Sequence, residues 1–505
     1  MLDTSEPRLH VPGPQPPTFH ARNTEEGSAM TTIDTPTHPT AKHVHSLWGP
    51  RTWPVLRYAQ APRAALIGAA VAGLIGSVTL VNNTFGVLIT ALAFVAVVLA
   101  ARSGRLTPWE WAGAAGVLAL ASVSVLREAE WIVTMSTTLA IVVAVVVLSR
   151  AWTWTGIALG ALVPAFLPVR VARWTRRGAN SIDLEGPRPV RIGMVSVVTI
   201  ALLVVFAALF GAADKRFADA LSAVTPEFDA ASVVGRIVVF VLTAAGALAV
   251  TYVALHPPRF DRLAPSPRRT VQLWEWMVPL GAVVALFAVF VGFQVPTLFG
   301  GQGHVLTTEG LTNAEYARQG FWQLLAVTVL TLLVIAVTVA KARREDRGDR
   351  IALRALLGAL CLLSSVIVAS ALHRMSLYEQ QYGYTTLRLF VTAVEWWLGS
   401  VFVLVLVSGV RMSGRWLPRA VGVGAVLTVL ALAALNPDAY IARHNVDRFE
   451  QTGRIDTSYV GGLSADADAE LDRLPKYVRP CVRARGPVIV GDTWHLCTDP
   501  SVSVP

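Results

Sequence analysis

Long apolar segments without a single charge constrain the fold of this chain more than any other feature. Residues 81–101 and 195–210 contain no Asp, Glu, Lys or Arg. A run of roughly 18 or more apolar residues can cross the ~30 Å hydrocarbon core of a bilayer as a helix. Of the 505 residues, 54% are hydrophobic and 15% are charged, against about 25% charged in an average soluble domain. The sequence therefore predicts an all-α integral membrane protein with the lipid bilayer as its partner.

Similar segments recur along the chain and predict about eleven transmembrane helices in a polytopic domain at residues 61–435. Tryptophans such as Trp109, Trp131 and Trp274 stand at segment ends, where amphipathic rings favour the headgroup level. The predicted spans are 64–81, 85–101, 109–126, 131–148, 192–211, 232–255, 277–299, 321–340, 351–372, 389–408 and 420–435.

The segment at residues 152–167 is ambiguous because it is short for a span and contains Pro164. With eleven spans and a cytoplasmic N-terminus, the cytoplasmic loops hold most of the basic residues, as the positive-inside rule requires. A twelfth span here would invert every later loop. The segment is therefore predicted to be a re-entrant or interfacial helix in a cytoplasmic loop at 151–191. The opposite loops hold only Arg127, Lys215, Arg216, Arg318, Arg374 and Arg388.

The two chain ends are predicted to lie on different sides of the cell membrane. Residues 1–60 are rich in Pro, Thr and His, cannot bury a core, and are predicted to be a disordered cytoplasmic tail with a second possible start at Met30. Residues 436–505 are predicted to be a small extracytoplasmic segment. Cys481 and Cys497 would form a disulfide there because the outer compartment is oxidising; the alternative is two unrelated thiols.

The net charge of +10 does not predict a nucleic-acid partner, because no basic stretch carries interleaved aromatic residues that could stack on bases. The charge is typical of basic loops next to a membrane. No cofactor motif, metal-ligand set or phosphate-binding loop is present. An ATP-driven pump is therefore not expected, and neither a cofactor nor a metal is predicted.

Residues 373–388 join two predicted spans with a dense set of hydrogen-bonding side chains. Glu395 follows on the same helix face as Arg388 and about 10 Å deeper, at 1.5 Å per residue. An ionisable residue at that depth usually faces the bundle interior or a wet cavity. It is either an acid in a pathway or pocket, or a structural residue paired with Arg388 or placed beneath the Trp396–Trp397 belt. The candidate binding residues here are His373, Arg374, Tyr378, Tyr382, Arg388 and Glu395.

A second polar stretch, residues 436–449, follows the last predicted span. Asn436 and Pro437 are typical of a helix start, and Gly453 is typical of a helix end. Asn445 and Arg448 share one helical stripe and could point at one target, although a solvated helix at the membrane surface would show the same pattern. The candidate binding residues here are Asn436, Asp438, Asn445 and Arg448.

Three motifs in these stretches resemble the C-terminal signature of a bacterial, actinobacterial-type family of multi-pass membrane proteins, a domain-of-unknown-function family. Tyr-x-x-x-Tyr-Gly-x-Thr-x-x-Arg is met by Tyr378, Tyr382, Gly383, Thr385 and Arg388. Asn-Pro-x-x-x-Ile-Ala-x-x-Asn-x-x-Arg is met by Asn436, Pro437, Ile441, Ala442, Asn445 and Arg448. Gly-x-Ile-Asp-x-x-Tyr is met by Gly453, Ile455, Asp456 and Tyr459. The resemblance covers roughly residues 190–475; it implies a membrane location and no activity.

The polar stretches favour a transport-like or ligand-sensing protein with an outward-facing polar site. The alternative is a membrane scaffold or accessory protein that binds a protein partner, which the sequence does not identify. A membrane-embedded transferase acting on a lipid-linked substrate is a third possibility. Polytopic glycosyltransferases place a catalytic acid in the first outer loop, but residues 82–84 contain none.

The sharpest hypothesis is that Arg388, Glu395, Asn445 and Arg448 converge on one outward-facing site. Two neighbouring arginines repel each other unless an anion or a carboxylate lies between them. If internal carboxylates pair with both, the cluster is a structural clasp for the last helix. If one guanidinium faces an open pocket, an anionic small molecule or a lipid headgroup becomes the expected ligand, because planar donors favour carboxylate and phosphate.

Overall fold

The computed structural model describes most of the chain between residues 59 and 484. The described residues are Trp53, 59–82, 85–180, 214–224, 230–263, 272–299, 321–342, 346–411 and 413–484, with scattered positions between 195 and 213 and two strands, 488–490 and 493–495. The expectations for the N-terminal tail and for Cys497 lie outside these residues.

Up to residue 434, nearly all of the described residues lie in helices. They are α1 Arg63–Asn82, α2 Gly86–Ala101, α3 Pro108–Ala121, α4 Val123–Leu126, α5 Glu130–Leu148, α6 Trp154–Gly160, α7 Val163–Asn180, α8 Lys215–Val224, α9 Ala230–Leu255, α10 Leu273–Phe299, α11 Phe321–Lys341, α12 Arg347–Tyr382, α13 Thr386–Arg411 and α14 Leu417–Ala434.

Shorter elements complete the C-terminal part. They are α15 Pro437–Thr452, α16 Thr457–Val460, α17 Asp468–Leu471 and α18 Arg479–Ala484, with two antiparallel strands, β1 Val488–Val490 and β2 Thr493–His495. Ile489 lies opposite Trp494 in this hairpin. The hairpin is a small addition to the all-α prediction.

Nine helices among the described residues are long and apolar enough to cross a membrane, and all nine coincide with predicted spans. α2 occupies a tenth predicted position but has only 16 residues. The predicted span at 192–211 falls largely outside the described residues. An all-α membrane protein with several spans is therefore established by length and composition, while the number eleven remains a prediction.

The ambiguous segment at 152–167 forms the broken helix pair α6 and α7, whose axes differ by 58°. A broken span and a re-entrant loop share this geometry. The segment was predicted to end at residue 167, but α7 continues through Pro168 to Asn180. Proline has no N–H, so Pro168 cannot make the helical hydrogen bond to the carbonyl group four residues earlier. Because Pro168 lies near the start of α7, this loss affects only the first turn of the helix.

Asp261 anchors this bent pair to the bundle. Its carboxylate accepts hydrogen bonds from Trp152 N at 3.0 Å, Thr153 N at 3.1 Å and Thr153 Oγ1 at 2.7 Å. Asp261 lies in the 3-10 helix Phe260–Leu263, just after α9. A carboxylate at the free N–H groups of a helix start satisfies them and complements the helix dipole, so α6 has a fixed starting point.

Close helix packing at the start of the chain depends on small residues. A Cβ atom added to Gly76 on α1 would lie 2.6 Å from Thr243 Oγ1 on α9, and one added to Gly68 would lie 3.0 Å from Val97 on α2. A side chain at Gly76 would force the two helices or Thr243 to shift, and one at Gly68 would require Val97 to move aside. The small residues of α1 therefore report close packing between helices.

The polar stretch at 373–388 is not the loop that the sequence analysis expected. α12 is 36 residues long and runs through His373 to Tyr382, which leaves only residues 383–385 between it and α13. No Gly or Pro interrupts residues 374–382, and Met, Leu, Glu and Gln are good helix formers. The helix therefore continues until Gly383 allows the chain to turn.

Residues 437–482 form a compact unit, here called the cap, and not an extended tail. Its core contains Ala442, Val446, Phe449, Val460, Ala467, Leu471, Leu474, Val478 and Val482, all buried. α15 also buries Ile441 in the hydrophobic cluster shared by α3, α5, α13 and α14. α15 thus belongs to two cores, one in the cap and one in the helix bundle.

Candidate functional site

The C-terminal end of α12 is bound by two arginines from different elements. Arg388 Nη1, on α13, donates to the carbonyl groups of Gly383 and of Tyr382, the latter at 3.3 Å. Arg448 Nη2, on α15, donates to the Gln381 carbonyl at 2.7 Å. The last carbonyl groups of a helix lack partners within it and carry the negative end of its dipole. These carbonyl groups stabilise both guanidinium groups, and neither arginine forms an ion pair with a carboxylate among the described residues.

Gly383 makes this arrangement possible. Its φ of 80° lies in the region that side chains other than glycine rarely adopt. A Cβ atom at this position would also collide with Asn445 Oδ1. The chain can therefore reverse direction within residues 383–385 and start α13 beside the end of α12.

Asn445 pairs with the backbone of this reversal through both ends of its amide group. Its Oδ1 accepts from Tyr384 N at 3.0 Å, and its Nδ2 donates to Tyr384 O at 2.9 Å. The side chain is buried. Asn445 thus satisfies both backbone groups of Tyr384, as a neighbouring strand does in a β-sheet. It also joins α15 to the turn between α12 and α13.

Tyr459 fixes the other side of the turn. Its hydroxyl oxygen accepts from Thr386 N at 2.6 Å and lies 3.0 Å from Thr386 Oγ1. Asp456 caps the short helix that carries Tyr459, accepting from Tyr459 N at 2.9 Å. The third sequence motif, which contains both residues, therefore supplies a cap to the first turn of α13.

Asp438 and Asn436 hold the start of α15. The buried Asp438 carboxylate accepts from Trp131 Nε1 at 3.0 Å and from Ser464 N at 2.9 Å, so it ties the start of α15 to α5 and to the cap. Asn436 occupies the N-cap position, but its side chain makes no capping bond. Its left-handed φ of 55° lets the chain turn at once from α14 into α15.

The structure brings together five of the candidate residues: Tyr378, Tyr382, Arg388, Asn445 and Arg448. The Arg388 guanidinium lies 4.3 Å from the centre of the Tyr378 ring, and the rings of Tyr378 and Tyr382 are 4.9 Å apart. Burial and the neighbouring charges of Arg454 and Arg388 lower the pKa of Arg448. The cluster is a clasp between the end of α12 and the cap.

Two other candidates face elsewhere. Arg374 Nη2 donates to Gln294 Oε1 on α10 at 3.0 Å, an oxygen that Ser370 also reaches at 3.0 Å. His373 is exposed on the helix surface. Their distance along α12 from the turn at Gly383 explains the separation, because residues nine or ten positions away lie nearly three turns below it.

Glu395 is not paired with Arg388. Its side chain is 1% exposed, and neither carboxylate oxygen has a hydrogen-bond partner. The pairing that the sequence analysis offered as one alternative is therefore absent from the described structure. Arg388 bends towards the α12 carbonyl groups at the turn, whereas Glu395 lies two turns deeper on α13.

Glu379 was not among the candidate binding residues, but it also belongs to this region. It is 5% exposed, its Oε1 atom has no hydrogen-bond partner, and the Arg388 charge acts on it. Burial, followed by the charge of Glu379, raises the pKa of Tyr384 to about 12. The signal in the sequence was its position one turn before Gly383, on the face that turns towards α13.

Cys481 is disulfide-bonded, whereas Cys361 is a free, buried cysteine. Since Cys497 lies outside the described residues, its pairing with Cys481 stays a prediction. The described residues contain no group of three or more His, Cys, Asp or Glu side chains that could hold a metal ion.

The structure is that of a multi-pass α-helical membrane protein. It has several apolar helices of spanning length, and a folded cap is bound to one end of the pair α12 and α13. The chain matches the family model described as Domain of unknown function (DUF4153) over residues 114–474, and it belongs to this family. The match includes the clasp and most of the cap. No curated protein and no solved structure matches the chain.

Proposed function

We propose that the protein is a transport-like protein of the cell membrane, with a cytoplasmic N-terminus, an extracytoplasmic cap and a site linked to protons. The observation that carries the proposal is Glu395. This acid lies within the 26-residue helix α13, is 1% exposed, and has no partner for either oxygen. A buried carboxylate without hydrogen bonds is costly, so the neutral acid is favoured. Acids at this depth commonly mark proton or ion pathways.

The clasp supports a proton in preference to an anionic ligand. The guanidinium groups of Arg388 and Arg448 are already engaged by carbonyl groups at the end of α12. An anion would have to displace these bonds and repel the carbonyl dipoles. The anionic small molecule or lipid headgroup that the sequence analysis considered is therefore the weaker proposal.

Proton flux into liposomes tests the proposed function. Purified protein is reconstituted into vesicles that contain a pH-sensitive dye, and a potassium gradient with valinomycin imposes a membrane potential. Wild-type vesicles are expected to change internal pH faster than protein-free vesicles, and Glu395→Gln should abolish the difference. Glu275→Gln is the control, because Glu275 is an exposed acid in the first turn of α10. Wild-type flux equal to that of empty vesicles would overturn the proposal.

A scaffold that binds a protein partner through the cap is the second candidate. Hydrogen bonds from Asn445, Arg448 and Tyr459 hold the cap on the helix bundle. A cap in a fixed position can present one surface to a partner, which favours this candidate. Cross-linking in intact cells, followed by mass spectrometry, tests it. Specific cross-links from exposed cap residues to another membrane or secreted protein are expected, and their loss in Asn445→Ala would tie the partner to the docked cap.

A further inference from the structure

We infer that Glu379, Thr392 and Glu395 form a proton route along one face of α13, entered from the cap through Tyr384, Tyr440 and His444. This inference rests on the proposed function and assigns the steps of its proton pathway. Three features carry it: the buried groups without partners, their positions on the two helices, and the aromatic cluster that connects them to the cap surface.

The inner part of the route is a series of buried polar groups. Thr392 Oγ1, Glu379 Oε1 and both Glu395 oxygens make no well-formed hydrogen bond, although the Thr392 hydroxyl lies next to the Glu379 carboxyl group. Buried polar groups are nearly always paired in native proteins, and those that are not call for an explanation such as a functional role. Glu379 and Thr392 are neighbours across α12 and α13, and Glu395 lies one turn from Thr392 on α13, so we assign the three to one series of proton-binding groups.

Helix geometry sets the spacing of these groups. Thr392 precedes Glu395 by three residues on α13, a rise of ~4.5 Å, so both lie on one face. The Thr392 hydroxyl lies next to the Glu379 carboxyl group of α12, although neither Thr392 Oγ1 nor Glu379 Oε1 has a well-formed hydrogen bond. In the proposed route Thr392 therefore links the Glu379 carboxyl group to Glu395, which lies one helical turn away on α13.

The outer part of the route is an aromatic cluster at the junction with the cap. The Tyr384 and His444 ring centres are 4.6 Å apart, and those of Tyr440 and His444 are 4.1 Å apart. Glu379 acts electrostatically on both tyrosines, and the two phenol groups interact with each other. His444 is half-buried, and its Nδ1 lies 2.9 Å from the Tyr440 carbonyl oxygen, so the ring is held between the cluster and the cap surface.

The charges around the route favour a proton over a metal cation. Arg388 is the one charged group among the described residues that acts on Glu379, and no described charge acts on Glu395. A guanidinium beside the first acid repels an incoming metal ion. In the proposed route a proton instead passes from the ring cluster of Tyr384, Tyr440 and His444 to the Glu379 carboxylate. Glu395, which is protonated at rest, first releases its own proton towards the opposite side of the membrane. The Thr392 hydroxyl then takes up the proton of Glu379 while it donates its own to the resulting Glu395 carboxylate.

Variants of Thr392 test the route most directly, because this residue carries no charge. In the liposome assay, Thr392→Val should lower the proton flux by about a hundredfold, the usual effect of losing a positioned proton-transfer group. Thr392→Ser, which keeps the hydroxyl, should restore most of the flux. Thr428→Val is the matched control, because the Thr428 hydroxyl bonds only to the Gly424 carbonyl at 2.9 Å within its own helix among the contacts described.

The results separate this inference from the proposed function. Loss of flux in Glu395→Gln with normal flux in both Thr392→Val and Glu379→Gln would overturn the route and leave the proposed function standing. Wild-type vesicles without flux would overturn both. Size-exclusion profiles and thermal unfolding midpoints, measured for every variant, identify any that fail to fold.

Infrared spectroscopy provides a readout that does not depend on transport. Purified wild-type protein at neutral pH should show the carbonyl stretch of a protonated carboxylic acid, and this band should shift in D₂O. Glu395→Gln should remove it, whereas Glu275→Gln should not. A wild-type spectrum without such a band would show that Glu395 is ionised at rest and would overturn its role as the inner proton site.

Discussion

Arginine side chains that bind main-chain carbonyl groups stand out at the scale of single residues. Arg388 and Arg448 bind the end of α12, and Arg127 donates to the Ala433 carbonyl at 2.6 Å and the Ala434 carbonyl at 3.3 Å at the end of α14. These helix ends carry partial negative charge. Arg127 and Arg388 are two of the six basic residues that were predicted in the loops opposite the cytoplasm. Binding to the carbonyl groups of a helix end is a structural reason for each of them.

Arg448→Ala should destabilise the protein by about 2–3 kcal/mol, because it removes charged hydrogen bonds at a helix end and leaves the Gln381 carbonyl without this donor. Arg443→Ala should cost less than about 1 kcal/mol, since Arg443 forms an exposed ion pair with Glu470. Thermal or detergent-induced unfolding of the two variants measures the difference. Equal losses of stability would contradict the clasp.

Gly383→Ala should be more harmful than Gly453→Ala. Gly453, with φ 70° and ψ 9°, lies in the left-handed region, where alanine costs about 1–2 kcal/mol. Gly383, with φ 80° and ψ 171°, lies in a region restricted essentially to glycine, and its new Cβ also meets the Asn445 side chain, whereas at Gly453 it meets nothing within 4 Å. The difference in unfolding midpoint between the two variants measures both effects together. Identical midpoints would show that the turn at Gly383 and the cap rearrange at no cost.

At the scale of elements, the length of α12 decides the form of the site. A helix of 36 residues is ~54 Å long at 1.5 Å per residue, longer than the ~30 Å hydrocarbon core. It extends past the apolar section and presents its carbonyl end to the cap. If residues 373–382 formed a loop, the side chains of the first motif would not share one helix end. The continuous helix instead concentrates Tyr378, Glu379 and Tyr382 in its last two turns.

Gly76→Ala should destabilise the contact between α1 and α9, because the added Cβ would lie 2.6 Å from Thr243 Oγ1. The expected loss is about 1–3 kcal/mol, the usual effect of overpacking. Gly116→Ala is the matched control in α3, where an added Cβ meets nothing within 4 Å. Alanine should be neutral or slightly stabilising there. Unfolding midpoints of both variants in one detergent check the expectation.

At the scale of the whole molecule, the side of the membrane that carries the cap remains a prediction from loop charge. A Ser503→Cys variant, in a background without the native cysteines, should react with a membrane-impermeant maleimide in intact cells. Labelling only after lysis would place the C-terminus in the cytoplasm and require an even number of spans.

The Cys481–Cys497 disulfide is a separate prediction about the C-terminal segment. When the native protein is denatured without reductant, an alkylating agent should leave Cys481 and Cys497 unmodified. After reduction, both should react. Cys361, which is free and buried, becomes accessible on denaturation in either case and serves as the internal standard. Full alkylation of Cys481 without reductant would rule the pairing out.

The sequence by itself was sufficient for the membrane-spanning helices, because hydrophobic length is a local property and lipid demands that each segment satisfy its own backbone hydrogen bonds. All nine candidate spans among the described residues were predicted within a few positions, except that the ends of α12 extend well beyond its apolar section. Asn445 and Arg448 were also identified together, since residues three positions apart on a helix share a face.

Only the tertiary structure decided what these residues bind. Arg388 and Arg448 were expected to need a carboxylate or an anion, but they bind carbonyl groups that become available only because α12 ends at Gly383 and α15 docks beside that end. Glu395 is buried, and its pairing with Arg388, one of the two alternatives, is absent among the described residues. A backbone carbonyl has no signature in the sequence, and its availability depends on where a helix ends and what packs against it.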